Sequence, residues 1–153
     1  MDKKSVQDNK NRCVIEEKIF IAVSKNSKFA DRTHITLKEL KDEKFIYLAG
    51  SKTYRYVCDA FFEGLGYTPN ISFETDSTIT VKNIIGADAG VGFWPEHSWG
   101  SVENANVKLI PVIDVECKRN IIIELNESAG GGKHVREFFD YLTAQLKKRL
   151  KKQ

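Results

Sequence analysis

Side chains with useful binding chemistry gather in three short segments of the sequence. Residues 50–54, 75–78 and 94–99 each follow a predicted strand. The first two combine hydroxyl groups with the start of a predicted helix, where unpaired backbone N–H groups and the helix dipole attract an anion. The third contributes aromatic surface that can form an apolar wall. Together the three segments predict a pocket for a small carboxylate or another polar anion.

Five side chains in and beside these segments are the candidate ligand-binding residues. Ser51, Thr75 and Ser77 offer hydroxyl groups to a carboxylate or similar head group, and Phe93 and Trp94 would wall the pocket. Each has a simpler explanation, because serine and threonine at helix starts are common N-caps and large aromatic residues commonly belong to the core. The convergence of three segments favours the ligand-binding interpretation.

Residues for catalysis or metal binding do not form any pattern in the sequence. The histidines at positions 34, 97 and 134 are scattered without metal-ligand spacing, and the three well-separated cysteines indicate reduced thiols. Glu96 and His97 could form an acid–base pair, but adjacent residues rarely face each other. Lys52 and Arg55 could be ordinary surface charges. Since nucleophile-elbow, P-loop and dinucleotide motifs are also missing, we expect no enzyme activity, metal or cofactor.

Alternating strands and helices would position the candidate residues. Short apolar runs predict strands, amphipathic spacing predicts helices, and Thr36 with Glu39 forms a capping box that opens a short helix. Ser77 can cap the second long helix. The predicted strands are 18–23, 45–49, 71–75, 90–94, 107–112 and 120–125, and the predicted long helices are 53–65, 78–87 and 133–150. This order predicts an α/β fold with a largely parallel sheet, in which ligands bind beyond the carboxyl ends of the strands.

Length and charge restrict the classes of protein that the chain can belong to. Its 153 residues suit one domain or two small lobes, and 41% hydrophobic residues suffice for a core. The formal charge of +3 depends on the basic tail over residues 147–152, so the body offers no clustered basic face for nucleic acid. Residues 1–16 are polar and predict a flexible arm. Without an apolar membrane span or signal segment, we expect a cytoplasmic protein.

Several stretches of the sequence, in a fixed order, resemble one known family. They are 19–23 with 27–30, 35–46, Gly50 with Arg55, 61–69, 74–77, and 85–96, which reads IGADAGVGFWPE. This ordered set, over residues 16–146, resembles the effector-binding domain of LysR-type transcriptional regulators. The chain departs from the family at Asp88-Ala89-Gly90, where relatives usually have a Gly-Leu-Gly turn.

The resemblance implies a fold and a function. The fold would be a type 2 periplasmic-binding-protein-like lobe, complete, with the C-terminal strand and helix of the other lobe, over residues 17–150. The function would be to bind a small anionic or polar metabolite between lobes and so control transcription. DNA would be contacted only through a helix-turn-helix domain, which we expect this chain to lack. The alternative with the same architecture is a solute-binding receptor of a transport system.

The predicted C-terminal helix carries an apolar stripe that includes Phe138, Phe139 and Leu142. In the fold that the resemblance implies, this stripe would cover a sheet that the chain does not contain. An exposed apolar stripe of this size favours association with another molecule. We therefore expect the protein to self-associate or its C-terminal helix to repack.

Overall fold

The computed structural model describes residues 7–50, 52–103, 105–130 and 132–150. The strands are β1 (Arg12–Ser24), β2 (Lys44–Leu48), β3 (Asn70–Thr75), β4 (Gly92–Pro95), β5 (Val107–Ile110) and β6 (Lys118–Glu124). The helices are α1 (Lys52–Ala60), α2 (Thr78–Gly86) and α3 (Gly132–Leu150), with 3-10 helices at Leu37–Leu40 and Glu127–Ala129. The chain divides into two compact units, a core unit of residues 17–119 and a flanking unit formed by the residues on either side. None of the described helices is long and apolar enough to cross a membrane.

The sheet of the core unit is mixed. β2 and β3 pair in parallel, with Tyr47 opposite Glu74 and Leu48 opposite Thr75. Val91, just before β4, forms a parallel bridge with Phe45, whereas β1 runs antiparallel to both β4 and β5. β6 also pairs with β1. The α/β class predicted from the alternating pattern is confirmed, and the antiparallel pairs arise because β1 lies between β4 and β5.

Two glycines allow the strands of the core unit to approach each other closely. A Cβ atom on Gly90 would lie 2.6 Å from the Lys44 carbonyl oxygen, and one on Gly92 would lie 2.9 Å from that of Ile46. Both distances are shorter than real Cβ contacts allow, so a side chain here would push β2 away from β4.

Helix α1 is shorter than predicted. It ends at Ala60, whereas the sequence predicts a helix to residue 65, and residues 61–66 form successive turns. Phe61 and Phe62 lie in these turns and are both buried. Gly64 and Gly66 have positive φ angles of 80° and 78°, a conformation that is incompatible with a continued helix.

Strand β1 is longer than predicted. It begins at Arg12, six residues before the predicted start, so part of the arm predicted over residues 1–16 is strand. Cys13 and Ile15 are buried on alternate positions and pack with Phe139 of α3. This period-two alternation is the signal of a half-buried strand. The charged residues Arg12 and Glu16 on either side make the segment resemble a polar arm in the sequence. Residues 1–6 of the predicted arm lie outside the described residues.

The flanking unit exposes much of α3. Phe139 is buried, but Val135, Phe138 and Tyr141 are 42%, 64% and 65% exposed. We call these three residues the α3 apolar face. Within the same unit, Arg136 contacts the Glu127 carboxylate at 2.8 Å and the Lys10 carbonyl oxygen. Arg136 and Phe139 therefore attach the helix to the rest of its unit, while the α3 apolar face remains exposed to solvent.

Candidate ligand-binding site

The first two predicted segments lie side by side at the carboxyl ends of β2 and β3. The Ala49 amide donates to the Thr75 carbonyl oxygen at 2.7 Å. A Cβ atom on Gly50 would lie 3.0 Å from Cβ of Asp76, so the two loops are in contact. The prediction that parallel strands would bring these segments together is confirmed.

The third segment joins the same edge through aromatic and lysine contacts. The Tyr54 hydroxyl donates to the Phe93 carbonyl oxygen at 3.2 Å, and the Tyr54 and Trp99 rings are 5.8 Å apart between centroids. Lys82 of α2 donates to the Trp99 carbonyl oxygen and lies 4.7 Å from the Trp94 ring centroid. All three segments therefore surround the start of α1.

A small cavity lies beneath this edge, and we call it the Tyr47 pocket. Its volume is about 10 Å³, close to the minimum that one water-sized group needs. The pocket is lined by Ile46, Tyr47, Leu48, Tyr54, Arg55, Cys58, Phe93 and Trp99. Most of this lining is apolar or aromatic, so a polar group that enters must find its partners among a few side chains.

Tyr47 supplies the polar group of the pocket that is least satisfied. Its side chain is 3% exposed, and its hydroxyl is buried with no hydrogen-bond partner among the described residues. Burial is the main cause that raises the pKa of Tyr47, and the charge of Asp59 adds to it. The Asp59 carboxylate is close enough to raise the pKa of the phenol, but its oxygens do not meet the distance and angle criteria for a hydrogen bond with the hydroxyl. The phenol is therefore a protonated, buried donor.

Arg55 forms a charged wall beside Tyr47. Its guanidinium lies 4.7 Å from the centre of the Tyr47 ring. Nε donates to Asp59 at 2.9 Å, and Nη1 donates to Glu74. Hydrogen bonds to these two carboxylates outweigh burial and raise the pKa of Arg55. Because two carboxylates face one guanidinium, the wall carries no uncompensated positive charge.

The remaining polar groups of the pocket are not nucleophiles. Burial raises the pKa of the Cys58 thiol to about 12, so it is protonated at neutral pH. Burial also raises the pKa of Tyr54 well above its ordinary value. A protonated thiol attacks poorly, because the thiolate is the reactive form. The pocket can donate hydrogen bonds.

The buried carboxylate of Glu17 holds the third segment through hydrogen bonds to His97 and Ser98. The Glu17 side chain is 0% exposed and accepts from Arg119 Nε at 2.7 Å. It also accepts from the backbone N–H groups of His97 and Ser98, at 2.9 and 2.6 Å, and from the Ser98 hydroxyl at 3.0 Å. We call these residues the Glu17 network. It ties β1 and β6 to the loop that ends at Trp99.

The predicted site residues have different surroundings. Ser51 lies outside the described residues. Thr75 and Ser77 are half-buried at the edge, where each hydroxyl oxygen accepts one local N–H group, from Ser77 and Thr80 respectively, at 3.2 Å. The predicted N-cap role of Ser77 is confirmed, and ligand contact by either residue stays a prediction.

The two predicted aromatic residues are core residues. Phe93 is 3% exposed, packs against Phe45, Phe61 and Phe62, and also lines the Tyr47 pocket. Trp94 is 0% exposed and does not line the pocket. Ligand contact by these two residues also stays a prediction. Sequence reasoning missed Tyr47, Arg55 and the Glu17 network as contributors to the site.

No group of three or more metal-ligating side chains is close enough to hold an ion within the ranges that the structure describes. Glu96 and His97 approach each other at 3.7 Å between Oε2 and Nε2, but the Tyr47 pocket contains neither residue. The Tyr47 pocket is lined by hydrogen-bond donors, aromatic rings and apolar side chains.

Comparison of the sequence with known proteins identifies relatives over about two thirds of the chain. The HTH-type transcriptional regulator YybE of Bacillus subtilis is 30% identical over 105 residues, which are 69% of this chain and 35% of that protein. A second regulator of the same organism, YwbI, is 27% identical over 66% of this chain and 34% of its own length. The chain thus spans about a third of the length of the curated relatives it matches.

Solved structures agree with this fold. HinK, a LysR family transcriptional regulator from Pseudomonas aeruginosa, superposes with a TM-score of 0.71 and 22% identity over 92% of this chain and 50% of its own. The effector binding domain of QuiR in complex with shikimate gives a TM-score of 0.71 and 17% identity, over 94% and 69%. These likenesses confirm the predicted fold.

The family model described as the LysR substrate binding domain matches residues 5–147, almost the whole chain. The match includes the three segments of the candidate site and the residues of the Tyr47 pocket. This chain belongs to the LysR substrate binding domain family.

Proposed function

We propose that this chain is the effector-binding part of a LysR-type transcriptional regulator, a receptor for a small anionic or polar metabolite. The observation that carries the proposal is the meeting of three loops at one sheet edge, with the backbones of residues 49 and 75 joined at 2.7 Å. Related domains support it, since QuiR is solved with shikimate, CcmR of Synechocystis with 2-PG, and BenM with its effector benzoate.

A receptor explains the site better than an enzyme does. The Cys58 thiol is protonated, and the Tyr47 pocket contains donors without a general base of accessible pKa. Catalysis by a side chain needs a nucleophile or base within reach of a bound substrate. The regulator is also favoured over the alternative, a transport receptor, because the family match and the curated relatives are transcriptional regulators. We also propose that the protein acts in the cytoplasm, because its curated relatives are bacterial transcriptional regulators.

A thermal-shift screen tests the proposed function. Small carboxylates, amino acids and aromatic acids would be added to the 153-residue protein, because a ligand that binds the folded state raises its melting temperature. We expect at least one acid to give a saturable rise. If no compound of these classes changes the melting temperature, the chain is not a receptor for a small anion.

The predicted hydroxyl contacts can be tested with the same ligand. Thr75→Ala and Ser77→Ala should each weaken binding by about 0.5–3 kcal/mol in calorimetric titrations. Thr68→Ala is the matched control, because Thr68 is exposed and lies outside the Tyr47 pocket. Since Ser77 caps α2, its variant must be titrated well below its own melting temperature. Unchanged affinity in both variants would remove Thr75 and Ser77 from the site.

The α3 apolar face supports the proposal that the protein self-associates. Phe138 and Tyr141 expose about two thirds of their surface, on a helix that also exposes Val135. Large exposed apolar patches mark interaction sites on soluble proteins. Sedimentation velocity should show a mass that rises with concentration, and Phe138→Ser should lower that mass. Tyr56→Ser, on the exposed side of α1, is the control, and a wild-type protein that stays monomeric at high concentration would contradict the proposal.

A further inference from the structure

We propose that the Tyr47 pocket receives a single uncharged oxygen atom of the effector, a hydroxyl or a carbonyl, which accepts a hydrogen bond from the Tyr47 hydroxyl. The effector is then a hydroxy or oxo acid. This inference rests on the proposed function, in which the acid group binds at the loops around Thr75 and Ser77. It adds a second polar contact, which the sequence does not indicate.

The first reason is the state of the Tyr47 hydroxyl. The group is buried, belongs to a side chain that is 97% buried, and has no hydrogen-bond partner in the described part of the chain. A buried donor without a hydrogen bond costs free energy. A ligand atom that accepts from this donor recovers that free energy. Because burial raises the pKa of Tyr47, the phenol is protonated at neutral pH and can act as a donor.

The second reason is the size of the pocket. A volume of about 10 Å³ is too small for a whole metabolite and fits one oxygen-sized group. Ile46, Leu48 and Trp99 form apolar walls, so an atom that enters without accepting a hydrogen bond would gain little specificity. The remainder of the ligand must therefore lie outside this pocket.

The third reason is the charge around the pocket. Asp59 and Glu74 already neutralise the Arg55 guanidinium, with Nε 2.9 Å from the Asp59 carboxylate. A carboxylate that entered here would face two acidic groups and one basic group, so its burial would be unfavourable. An uncharged oxygen meets no such repulsion. The charge balance thus favours the acid group at the loops around Thr75 and Ser77, and the hydroxyl or carbonyl group in the Tyr47 pocket.

The fourth reason is the position of the pocket relative to the candidate loops. Tyr47 pairs with Glu74 and its neighbour Leu48 pairs with Thr75, so the pocket wall continues into the second segment. Adjacent paired strands lie about 4.8 Å apart. Arg55 extends this continuity, because it contacts Glu74 directly beside Thr75. Because paired residues share a face of the sheet and neighbours alternate, Thr75 lies on the opposite face from Tyr47. A small molecule that contacts both must therefore extend around the carboxyl ends of β2 and β3.

Matched pairs of acids test the inference on the 153-residue protein. The probes are 3-hydroxybenzoate with benzoate, shikimate with cyclohex-1-ene-1-carboxylate, and pyruvate and lactate with propionate. Affinities are measured by calorimetry for wild type, Tyr47→Phe and the control Tyr56→Phe, which removes an exposed hydroxyl from α1. A site built to bond an oxygen discriminates strongly against an analogue that lacks it.

We expect at least one hydroxy or oxo acid to bind wild type at least about fivefold more tightly than its parent acid, within the range for one hydrogen bond. Tyr47→Phe should bring that ratio close to one and leave the affinity for the parent acid unchanged. Tyr56→Phe should keep the ratio.

The outcomes separate this inference from the proposed function. The inference is wrong, and the receptor function stands, if acids bind but no hydroxy or oxo acid binds more tightly than its parent acid. The same holds if Tyr47→Phe keeps the preference for the hydroxy or oxo acid. If none of the probe acids binds, and the wider thermal-shift screen also finds no ligand, both are wrong. If acids bind and the preference depends on Tyr47, both are supported.

Discussion

Two buried polar groups of the core unit, Glu17 and Tyr47, differ in how fully their neighbours satisfy them. The Glu17 carboxylate accepts four hydrogen bonds, from Arg119, from both donors of Ser98 and from the His97 backbone. The Tyr47 hydroxyl has no hydrogen-bond partner among the described residues. Both side chains are at most 3% exposed. Glu17 is therefore fully hydrogen-bonded, whereas Tyr47 belongs, with Trp94 Nε1 and His97 Nδ1, to the buried polar groups of the described core that lack a partner.

The difference separates a group that supports the site from a group that is available to a ligand. A buried charge is tolerated when it is paired and fully hydrogen-bonded, and the Glu17 network meets this condition. By fixing His97 and Ser98, it orients the loop that places Trp99 against Tyr54. Tyr47, in contrast, has its hydrogen-bonding capacity unused, and an incoming acceptor is the simplest group that can use it.

Removal of Arg119 should have the largest effect on stability. Arg119→Ala leaves the Glu17 carboxylate buried without its only charged partner in the network, which typically costs about 3–5 kcal/mol. Urea unfolding followed by circular dichroism would measure the change. Arg32→Ala is the control, because it breaks the Arg32–Glu39 pair at 2.8 Å, in which both side chains are at least one-third exposed, and such pairs contribute about 0–1 kcal/mol. Equal losses in the two variants would mean that Glu17 is not held by its network.

Low pH should weaken the same network in a defined direction. Burial tends to raise the pKa of Glu17, but the hydrogen bonds from Arg119, Ser98 and His97 outweigh it and lower that pKa below 4.5. The carboxylate thus contributes stability above pH 4.5, and this contribution is lost as the pH falls through the folded-state pKa. The difference in free energy of unfolding between wild type and Glu17→Gln should shrink on acidification. A difference that is constant between pH 7 and pH 3 would contradict the lowered pKa.

Local chemistry made part of this structure predictable from the sequence. The capping box of Thr36 and Glu39 and the cap at Ser77 depend on residues three positions apart, and both are confirmed. The meeting of the first two segments followed from the general rule for parallel strands. In contrast, the turns after α1 place both Phe61 and Phe62 in the core, and this packing is not encoded in the local pattern.

The site itself was less predictable. Glu17 and Arg119 are 102 residues apart, and only the pairing of strands brings them within hydrogen-bonding distance. Tyr47 stands in strand β2, next to the buried Phe45 and Ile46, and resembles an ordinary core residue. Its role depends on a missing partner, and a sequence cannot display the absence of a contact. Arg55, which the sequence explains equally well as a surface charge, becomes a pocket wall only through Asp59 and Glu74.

The hydroxyl of Tyr54 offers a smaller test of the comparison. It donates to the Phe93 carbonyl oxygen at 3.2 Å, so Tyr54→Phe removes a hydrogen bond that the folded protein makes. We expect a loss of about 0.5–1.5 kcal/mol in the free energy of unfolding. The measurement is the same urea titration, with Tyr56→Phe as the exposed control. No loss would indicate that this buried hydroxyl is as poorly bonded as that of Tyr47.

The smallest effect on stability should come from Tyr47→Phe. Because the hydroxyl has no partner, its removal relieves a desolvated polar group, and replacement by an apolar group of the same shape is close to neutral or slightly stabilising. The free energy of unfolding of the variant should therefore lie within about 0.5 kcal/mol of the wild-type value, or exceed it. The measurement is the urea titration that detects a loss in Tyr54→Phe. A loss above about 1 kcal/mol would mean that the phenol is bonded in the free protein. Asp59 would be the acceptor, because it is the carboxylate that raises the pKa of Tyr47. The contrast between the two tyrosines thus depends on one hydrogen bond, and a pair of conservative substitutions measures it.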